Sequence, residues 1–597
     1  MRIVATVPLL LALVAADAAH AARLKSFSSC KELVGYAREG ALRTQGGVGV
    51  AGRALPAPVL NIAPPQVAPV PPPMAVEGVP AAGDVSARVP AFSGTNTQEL
   101  DVDEPDVVKT DGRRIVVVTD KTLRVIRPGG PVTGTLPLDG FDHRLLLRGD
   151  RVLVIAGKGT SAQTIDPRPV APEIAPPRSI TVVTEIDISG APKVLRTMEV
   201  PGRFVDARQN GATARLVIDN APAPIIAGAS LKRAVKRAGV NRFLGHTTLK
   251  SNLSGKTFRR KLAPCDAVTH PARFSGLGVL AILTIDLDRG MYSLDRDGVM
   301  AGAQVVYGSA GSLYVASRRY VRAVETGGQA PDGLRTEIHR FDISDPARTV
   351  YRATGSVPGF ILNNYALSEH DGDLRVASTE EAPWVQAGTS RVTVLRQDGR
   401  RLVQVGAVGG LGDAGERIFG VRFMGARAFV VTFRQVDPLY AIDLSDPTAP
   451  KVAGSLKLPG YSAYLHPVGE DRLLGIGRDG AAVKTSLFDI SDMAAPREVA
   501  QLQFPYGMTT VESEPHAFLY WAPSRLAVLP LTQQSFSGAV GVRVAPDALT
   551  EAGRVQHQDG AAIVRSLVIG DTLYTLSWLG LAAGSLDNLA TSSFTAF

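Results

Sequence analysis

The residues whose types and spacing could support chemistry are concentrated in one acidic stretch: Asp101, Asp103, Glu104 and Asp106, with Asp111 five residues further on. Carboxylates at alternating positions of an extended segment point to one side, so Asp101, Asp103 and Asp106 are predicted ligands for a hard cation such as calcium. Their order differs from the Asp-x-Asp-x-Asp-Gly pattern of a dedicated calcium loop. The alternative is structural: these acids cap turns and hold a crossing strand, with Lys109 as the counter-charge.

A basic insertion at residues 230–262 contains ten Lys and Arg residues and no acid. These ten charges exceed the net charge of +8 for the whole chain, so the remainder is close to neutral. Four of them recur at helical spacing, which predicts a basic helix face that could hold an anionic polymer, phospholipid head groups or an acidic protein. The predicted partner-binding residues are Lys232, Arg233, Lys236, Arg237, Arg259, Arg260 and Lys261. The alternative is a solvated insertion without a partner.

Catalytic and cofactor motifs give no assignment, so no catalytic residue and no cofactor other than calcium is predicted. The Gly47–Gly52 stretch fits a dinucleotide fingerprint but has no strand before it and no helix after it. The sequence has no Gly-x-Ser-x-Gly motif of the serine hydrolases. Nucleic acid is a disfavoured partner, since aromatic residues within the insertion are limited to Phe243 and Phe258.

The two cysteines, Cys30 and Cys265, are far apart in the sequence. A lone pair of cysteines usually joins in an oxidising compartment, which here would fix the N-terminal segment to the body of the protein. The alternative is two free buried thiols, because spacing alone cannot show that the two residues are close.

The N-terminal region predicts export. Arg2, an apolar run and the small-x-small site Ala19-His20-Ala21 indicate a signal peptide at residues 1–21. An N-terminal segment with Cys30 follows at 22–40, then a Pro/Ala/Gly-rich linker at 41–91. No later stretch is long and apolar enough for a membrane span. We therefore expect a secreted or periplasmic protein, and a monomer.

From residue 92 to 597 the chain repeats one pattern: a short apolar strand, an Asp-Ile-Ser or Asp-Leu-Ser turn, another apolar run and, in most copies, a closing Pro-Gly. Units that cannot bury their faces alone must stack, so an all-β propeller of four-stranded blades is predicted. Nine units can be aligned, but the last has no recognisable fourth strand, which residues 92–106 could supply. The pattern therefore favours eight blades, with seven or nine as alternatives.

Two further expectations concern turns. The Asp residue of each repeated turn recurs once per unit, so it is predicted to cap its own backbone instead of forming a ring of catalytic acids; these residues are Asp187, Asp342, Asp443 and Asp489. The stretch Asp295-Arg-Asp-Gly298 is predicted to form a hairpin turn.

Several distinctive stretches resemble a family of secreted β-propeller domains described as distantly related to WD40 repeats. They include Thr95-Asn-Thr-Gln98, the run from Val102 to Gly112, Val357–Asn363, Gly420–Gly425 and Tyr461–Pro467. The resemblance covers the chain from about Phe27 to Leu589 and implies an extracytoplasmic propeller. The Pro-rich linker and the basic insertion depart from the family pattern.

Together these features favour an exported propeller that acts as a binding or scaffold module in the cell envelope, with a protein or an anionic envelope polymer as its partner. An enzymatic role is the less favoured alternative: an envelope hydrolase or lyase with an acidic site in the propeller channel, built from acids such as Asp103 and Asp106 and dependent on calcium. The binding role requires an exposed patch, whereas the enzymatic role requires carboxylates with perturbed pKa values that converge in a pocket.

Overall fold

The structure is a computed structural model that describes residues 24–43, 92–159, 179–221, 231–271, 276–321, 333–382, 385–433, 437–558 and 560–597. The predicted signal peptide, at residues 1–21, lies outside these ranges, and so do linker residues 44–91. Residues 41–43, assigned to the linker from the sequence, instead end a helix: β1 (Lys25–Ser26) and α1 (Cys30–Arg43) precede the ring.

Within the described residues, the strands form nine four-stranded units, here called blades 1 to 9 in chain order. The strands of each blade are given from the innermost to the outermost. Blade 1 contains β2 (Val108–Thr110), β3 (Ile115–Thr119), β4 (Thr122–Ile126) and β5 (Val132–Pro137). Blade 2 contains β6 (Phe141–Arg148), β7 (Arg151–Lys158), β8 (Ile180–Asp187) and β9 (Lys193–Pro201). Blade 3 begins with β10 (Arg203–Asn210) and β11 (Thr213–Asn220). It is interrupted by α2 (Leu231–Arg237), α3 (Val240–Phe243), β12 (His246–Ser251), β13 (Thr257–Lys261) and β14 (Val268–His270). It ends with β15 (Val279–Asp286) and β16 (Gly290–Val299).

The other six blades follow in chain order. Blade 4 contains β17 (Val305–Gly308), β18 (Ser312–Val321), β19 (Gly333–Asp342) and β20 (Val350–Pro358). Blade 5 contains β21 (Leu367–His370), β22 (Asp373–Ala382), β23 (Val385–Asp398) and β24 (Arg401–Leu411). Blade 6 contains β25 (Arg417–Met424), β26 (Arg427–Phe433), β27 (Asp437–Asp443) and β28 (Lys451–Leu458). Blade 7 contains β29 (Tyr461–Pro467), β30 (Arg472–Asp479), β31 (Ala482–Asp489) and β32 (Arg497–Phe504). Blade 8 contains β33 (Leu519–Trp521), β34 (Leu526–Gln533), β35 (Phe536–Ala545) and β36 (Ala548–Val555). Blade 9 contains β37 (Ile563–Ile569), β38 (Thr572–Ser577), β39 (Gly580–Ser585) and β40 (Thr591–Ala596).

The blades close into a ring. Clusters of buried apolar side chains join each blade to the next, and one of them packs Leu567, Tyr574 and Leu576 of blade 9 against Val117 and Ile126 of blade 1. Burial of such surface contributes about 25 cal/mol per Å². The fold class is confirmed, but the ring has nine blades instead of the favoured eight, because the last unit supplies its own fourth strand, β40.

The repeated turns join the third and fourth strands of their blades. In each, the Asp carboxylate accepts a hydrogen bond from the backbone N–H of the Ser two residues on; for Asp342 and Ser344 the distance is 2.9 Å. Bonds from the Ser344 hydroxyl and N–H lower the pKa of Asp342 to about 2, and Arg352 adds to this. The same N–H contact occurs at the other copies, which confirms the capping prediction: Asp187, Asp443 and Asp489.

The Pro-Gly connections between blades require glycine for a steric reason. Gly359 has φ of +78°, and a Cβ there would lie 1.9 Å from the backbone oxygen of Thr379. In the connection from blade 7 to blade 8, Tyr506 follows Pro505 with φ of +53° and is 78% exposed. A bulky residue is rare in this left-handed region.

The insertion in blade 3 and the N-terminal segment form a small lateral subdomain, defined here as residues 24–43 and 231–271. Strands β12 and β13 extend the outer edge of blade 2, whereas β14 and β1 extend the outer edge of blade 3. Phe27 and Leu33 are buried against Phe243 and Leu244. Cys30 and Cys265 form a disulfide, as predicted, with Cα atoms 5.1 Å apart. The insertion is therefore partly helical and partly a β-hairpin.

Two further points concern single elements. Asp295 and Asp297 lie inside β16, so the hairpin turn predicted at Asp295–Gly298 was wrong. Along the ranges that the structure describes, no helix combines the length and the apolar character needed to cross a membrane.

Candidate functional site

The acidic stretch belongs to a channel segment, defined here as residues 92–106, that crosses the ring. Its backbone bridges to innermost strands of three blades: Phe92 to Ile569, Asp103 to Gln209 and Asp106 to Leu145. Each of these partners lies in the C-terminal half of its innermost strand. The segment therefore runs along the inner edges of these three blades.

Side chains connect the channel segment to further blades. The amide of Asn96 donates to the Tyr464 hydroxyl of blade 7 at 2.8 Å. Gln98 donates to the backbone oxygen of Leu367, which begins β21 of blade 5, at 2.7 Å. The Tyr307 hydroxyl of blade 4 donates to Glu99 at 2.8 Å. These contacts tie blades on different sides of the ring to one chain segment.

Three acids of this segment, Asp103, Glu104 and Asp106, are paired with basic side chains. Lys109 Nζ lies 2.5 Å from Asp103 Oδ1. Arg565 Nε lies 2.8 Å from Asp106 Oδ1, and both side chains are almost completely buried. Burial opposes ionisation of Asp106, but Arg565 and other cations outweigh it and lower the pKa of that carboxyl.

Glu104 is the centre of the network. His516 Nε2 lies 2.9 Å from its Oε2, and Arg208 Nη2 lies 3.6 Å from its Oε1. Burial raises the pKa of Glu104, but Arg208 and then His516 outweigh that effect and lower it to about 2. Burial lowers the pKa of His516, but its bond to Glu104 and the nearby acids raise it overall. Glu104 is therefore ionised near neutral pH, and its negative charge favours the protonated form of His516.

A cavity of about 190 Å³ lies beside the channel segment. Its walls include both acids and cations of the network, among them Asp103, Asp106, Lys109, His516 and Arg565. These charges are engaged with one another, so the arrangement matches the structural alternative in which the acids hold a crossing strand with Lys109 as counter-charge.

The predicted calcium ligands do not come together as an open donor set. Asp101 is exposed with φ of +61°, whereas Asp103 and Asp106 face Lys109 and Arg565. Nowhere in the described ranges do three or more His, Cys, Asp or Glu side chains gather closely enough to hold a metal ion. Calcium binding here stays a prediction, and the ion would have to displace two cations.

The predicted partner-binding residues lie on two elements of the lateral subdomain. Arg233, Lys236 and Arg237 are exposed on α2, whose Val235 is buried. Arg259 and Arg260 are exposed on β13. Lys261 is half-buried, with its Nζ 3.2 Å from Cys30 Sγ, and the Lys232 side chain lies outside the described part.

The hairpin of β12 and β13 also contains exposed Lys250 and Lys256. Among described residues, no acid lies within ion-pair distance of Lys250, Lys256, Arg259 or Arg260, and the acid on the same face, Glu199, is bonded to Lys158 at 2.6 Å. Glu199 of β9 pairs with Thr248 of β12, and Thr248 pairs with Arg259 of β13. Strand β12 therefore separates Glu199 from Arg259.

Two residues that the sequence did not single out are affected by the positive charge of this hairpin. Burial, and then Arg259 and Lys261, lower the pKa of His246. Arg296 of blade 3 donates to the backbone oxygen of Lys261 at 2.7 Å, and Arg260 contributes to lowering its pKa after burial. No sequence motif connects Arg296 to the insertion. This clustering of uncompensated cations suits the binding of anions.

Comparisons with known proteins agree with the architecture. A sequence model described as "Beta propeller domain" matches residues 92–589. An uncharacterized protein of Archaeoglobus fulgidus is 27% identical over 81% of this chain and 81% of its own length. An uncharacterized protein of Methanocaldococcus jannaschii is 38% identical over 38% of this chain, and this match spans 35% of that protein.

Solved structures that this chain matches include AztD of Citrobacter koseri, with 12% identity, a TM-score of 0.34 and coverage of 70% of this chain and 91% of that one. Sqt1 of Chaetomium thermophilum has 11% identity, a TM-score of 0.36 and coverage of 54% of this chain and 79% of that one.

Proposed function

Because this chain belongs to the Beta propeller domain family, whose rigid rings present loops and edges for binding, we propose that it is an exported scaffold that binds an anionic partner through the lateral subdomain. The partner is an acidic protein or an anionic polymer of the cell envelope. The family supports a binding or scaffold role in general, and the lateral subdomain supplies the particular surface.

The observation that carries the proposal is the contrast between two sets of charges. The acids and cations beside the channel segment are buried and paired with one another. On the hairpin, Lys250, Lys256, Arg259 and Arg260 are exposed without an acidic neighbour in the described structure. Uncompensated surface charge attracts an oppositely charged partner and raises its rate of association.

Export is supported by two features. The N-terminal sequence has the charged, apolar and small-residue regions of a signal peptide. The Cys30–Cys265 disulfide suits an oxidising compartment. The disulfide also joins the first residue of α1 to the insertion, so the hairpin is presented by a cross-linked support.

A binding measurement with matched charge-reversal variants tests the proposal. The probes are poly-glutamate, an anionic polysaccharide and vesicles that contain phosphatidylglycerol, all at physiological ionic strength. The double variant Arg259→Glu/Arg260→Glu is compared with Arg113→Glu/Lys457→Glu, which has the same net charge and alters exposed positions elsewhere on the ring.

We expect the wild type to bind at least one of these probes. The hairpin variant should bind it roughly 10-fold or more weakly, since two charge contacts become repulsive. The control variant should stay within about 2-fold of the wild type. Equal weakening of both variants would show that only net charge matters, and no weakening of the hairpin variant would remove the insertion as the binding surface.

A further inference from the structure

Strand β13 is the outer edge of a six-stranded sheet in the order β13, β12, β9, β8, β7 and β6. Ser251 N–H donates to Lys256 O, and Leu262 N–H donates to Gly245 O. Hydrogen-bonded pairs alternate along an antiparallel ladder, so Phe258 and Arg260 bond to β12. The backbone N–H and C=O groups of Thr257, Arg259 and Lys261 therefore point away from the sheet.

Most of these outward groups are without a partner in the described residues. The exception is the carbonyl of Lys261, which accepts a hydrogen bond from Arg296 at 2.7 Å. Thr257 and Arg259 are exposed, and their outward N–H and C=O groups form a short template for one more strand. The bond from Arg296 limits where that strand can end.

The charges of β13 lie on both faces of the sheet. Arg259 is opposite Thr248, and Arg260 is opposite Thr247, so their side chains point to opposite faces. Charged residues on an edge strand prevent pairing between identical copies, because like charges directly opposite each other are destabilising. The same charges favour a strand with acids at two adjacent positions, one facing each arginine.

We propose that β13 binds an extended acidic segment of a partner protein by strand addition. Backbone hydrogen bonds to Thr257, to Arg259 and to the N–H of Lys261 would hold the segment. Two adjacent acidic side chains would select it through Arg259 and Arg260. This inference rests on the proposed function and specifies the partner as a protein. It distinguishes a peptide from a flexible anionic polymer, which needs neither the backbone groups nor this order of charges.

Two blocked peptides of identical composition provide the first test. In one, two adjacent Glu residues are flanked by Thr and Val, so that their side chains point to opposite faces. In the other, one residue separates the two Glu, so that both point to one face. We expect the adjacent-Glu peptide to bind about 5-fold more tightly, which is about 1 kcal/mol and corresponds to one cross-strand charge pair. Equal affinities would overturn the proposal.

A protein variant tests the backbone bonds separately. Arg259→Ala and Arg259→Pro both remove the charge, but only proline also removes the outward N–H. Proline is accepted on an edge strand where the N–H faces solvent. We expect Arg259→Pro to bind the adjacent-Glu peptide a further ~5-fold more weakly than Arg259→Ala, the effect of one net hydrogen bond. Equal affinities of these two variants would overturn strand addition.

A third arm does not depend on the folding of a variant. Methylating one backbone nitrogen of the peptide removes a donor, and methylation at successive positions alternates between the amide that faces β13 and the amide that faces solvent. We expect only the first kind to lose affinity, by roughly 5-fold. If poly-glutamate and the anionic polysaccharide bind as well as the peptide and methylation has no effect, the partner is a polymer. The proposed function would then stand without this inference.

Discussion

Glu104→Gln should destabilise the ring in a manner that depends on pH. The substitution preserves the size of the side chain but removes the negative charge that faces Arg208 and His516. Arg208 keeps a second partner, Asp206, at 2.6 Å. The variant therefore weakens the attachment of the channel segment without leaving that guanidinium unpaired.

The magnitude follows from the pKa of Glu104, which is lowered to about 2 in the fold from roughly 4.3 in an unfolded chain. A group with a depressed pKa contributes stability above its unfolded value, and this stability is lost as the pH falls through the folded value. The difference corresponds to about 3 kcal/mol at neutral pH. For a ring of roughly 500 residues that unfolds as one unit, this lowers Tm by about 3 °C.

The pH profile discriminates this mechanism from a general loss of packing. At pH 3 about half of the contribution should remain, so the difference in Tm between variant and wild type should shrink by about half. The pKa of His516 is raised in the fold. Its protonated form therefore contributes to the free energy of unfolding below about pH 6.5, and this contribution is lost as the pH rises through the raised pKa. The difference should therefore be largest between about pH 4.3 and 6.5.

Differential scanning fluorimetry across pH measures this, with Asp101→Asn as the control. Asp101 lies on the same segment but is exposed, so its substitution should change Tm little at any pH. A Tm deficit for Glu104→Gln that stays constant from pH 3 to pH 9, or no deficit at neutral pH, would refute the argument that charge pairing anchors this segment.

Three further outcomes are expected. A chelator and then excess calcium should each shift Tm by less than about 1 °C, since Asp103 is already paired; a larger stabilisation by calcium that Asp103→Ala abolishes would establish the predicted metal site. Replacing Cys30 and Cys265 with Ser should destabilise the protein by up to about 5 kcal/mol, because the bond closes a loop across a separation of 235 residues; reductant should lower the Tm of the wild type but not of this variant. Gly359→Ala should lower the free energy of unfolding by about 3 kcal/mol or more, since the added Cβ meets backbone in a left-handed conformation. Tyr506→Gly should be neutral or raise it by about 1 kcal/mol, because glycine adopts this conformation without strain. Denaturant unfolding that ranks the two variants in the opposite order would contradict the steric argument.

The repeat made the fold predictable, but it left the last blade ambiguous. Nine repeat units can be aligned in the sequence. Each begins close to an innermost strand or, in blades 5 and 8, at an isolated bridge that precedes that strand. The ninth fourth strand, β40, lies at the ring surface and is largely exposed. Apart from Phe594 and Ala596, Thr591–Ala596 consists of Thr and Ser, so it lacks a clear apolar pattern. The sequence therefore favoured eight blades.

Predictions for the site were limited by sequence distance. The acidic stretch was recognised, and Lys109 could be named as a counter-charge because it is near in sequence. Arg565 pairs with Asp106 across 459 residues, and His516 pairs with Glu104 across 412 residues. No local pattern predicts such contacts, since the closure of the ring alone brings these residues together. At Asp295 and Asp297 the local composition indicated a hairpin turn, but pairing with β15 keeps both residues in a strand. Here a local pattern was present and a longer-range contact overrode it.

The two sets of charged residues have different roles because of where the ring places them. An innermost strand has a free edge toward the channel, so its outward N–H and C=O groups need partners there. The channel segment supplies some of these bonds. Its Glu104 and Asp106 pair with Arg208 of blade 3, His516 of the connection between blades 7 and 8, and Arg565 of blade 9. These contacts lower the pKa values of Glu104 and Asp106 and so favour the ionised form of both carboxylates. The hairpin extends the outer edge of blade 2, where no acid among the described residues lies within ion-pair distance of Lys250, Lys256, Arg259 or Arg260. The pairing favours a structural role in ring closure for Glu104 and Asp106, and under the proposed function a partner is best sought at Arg259 and Arg260.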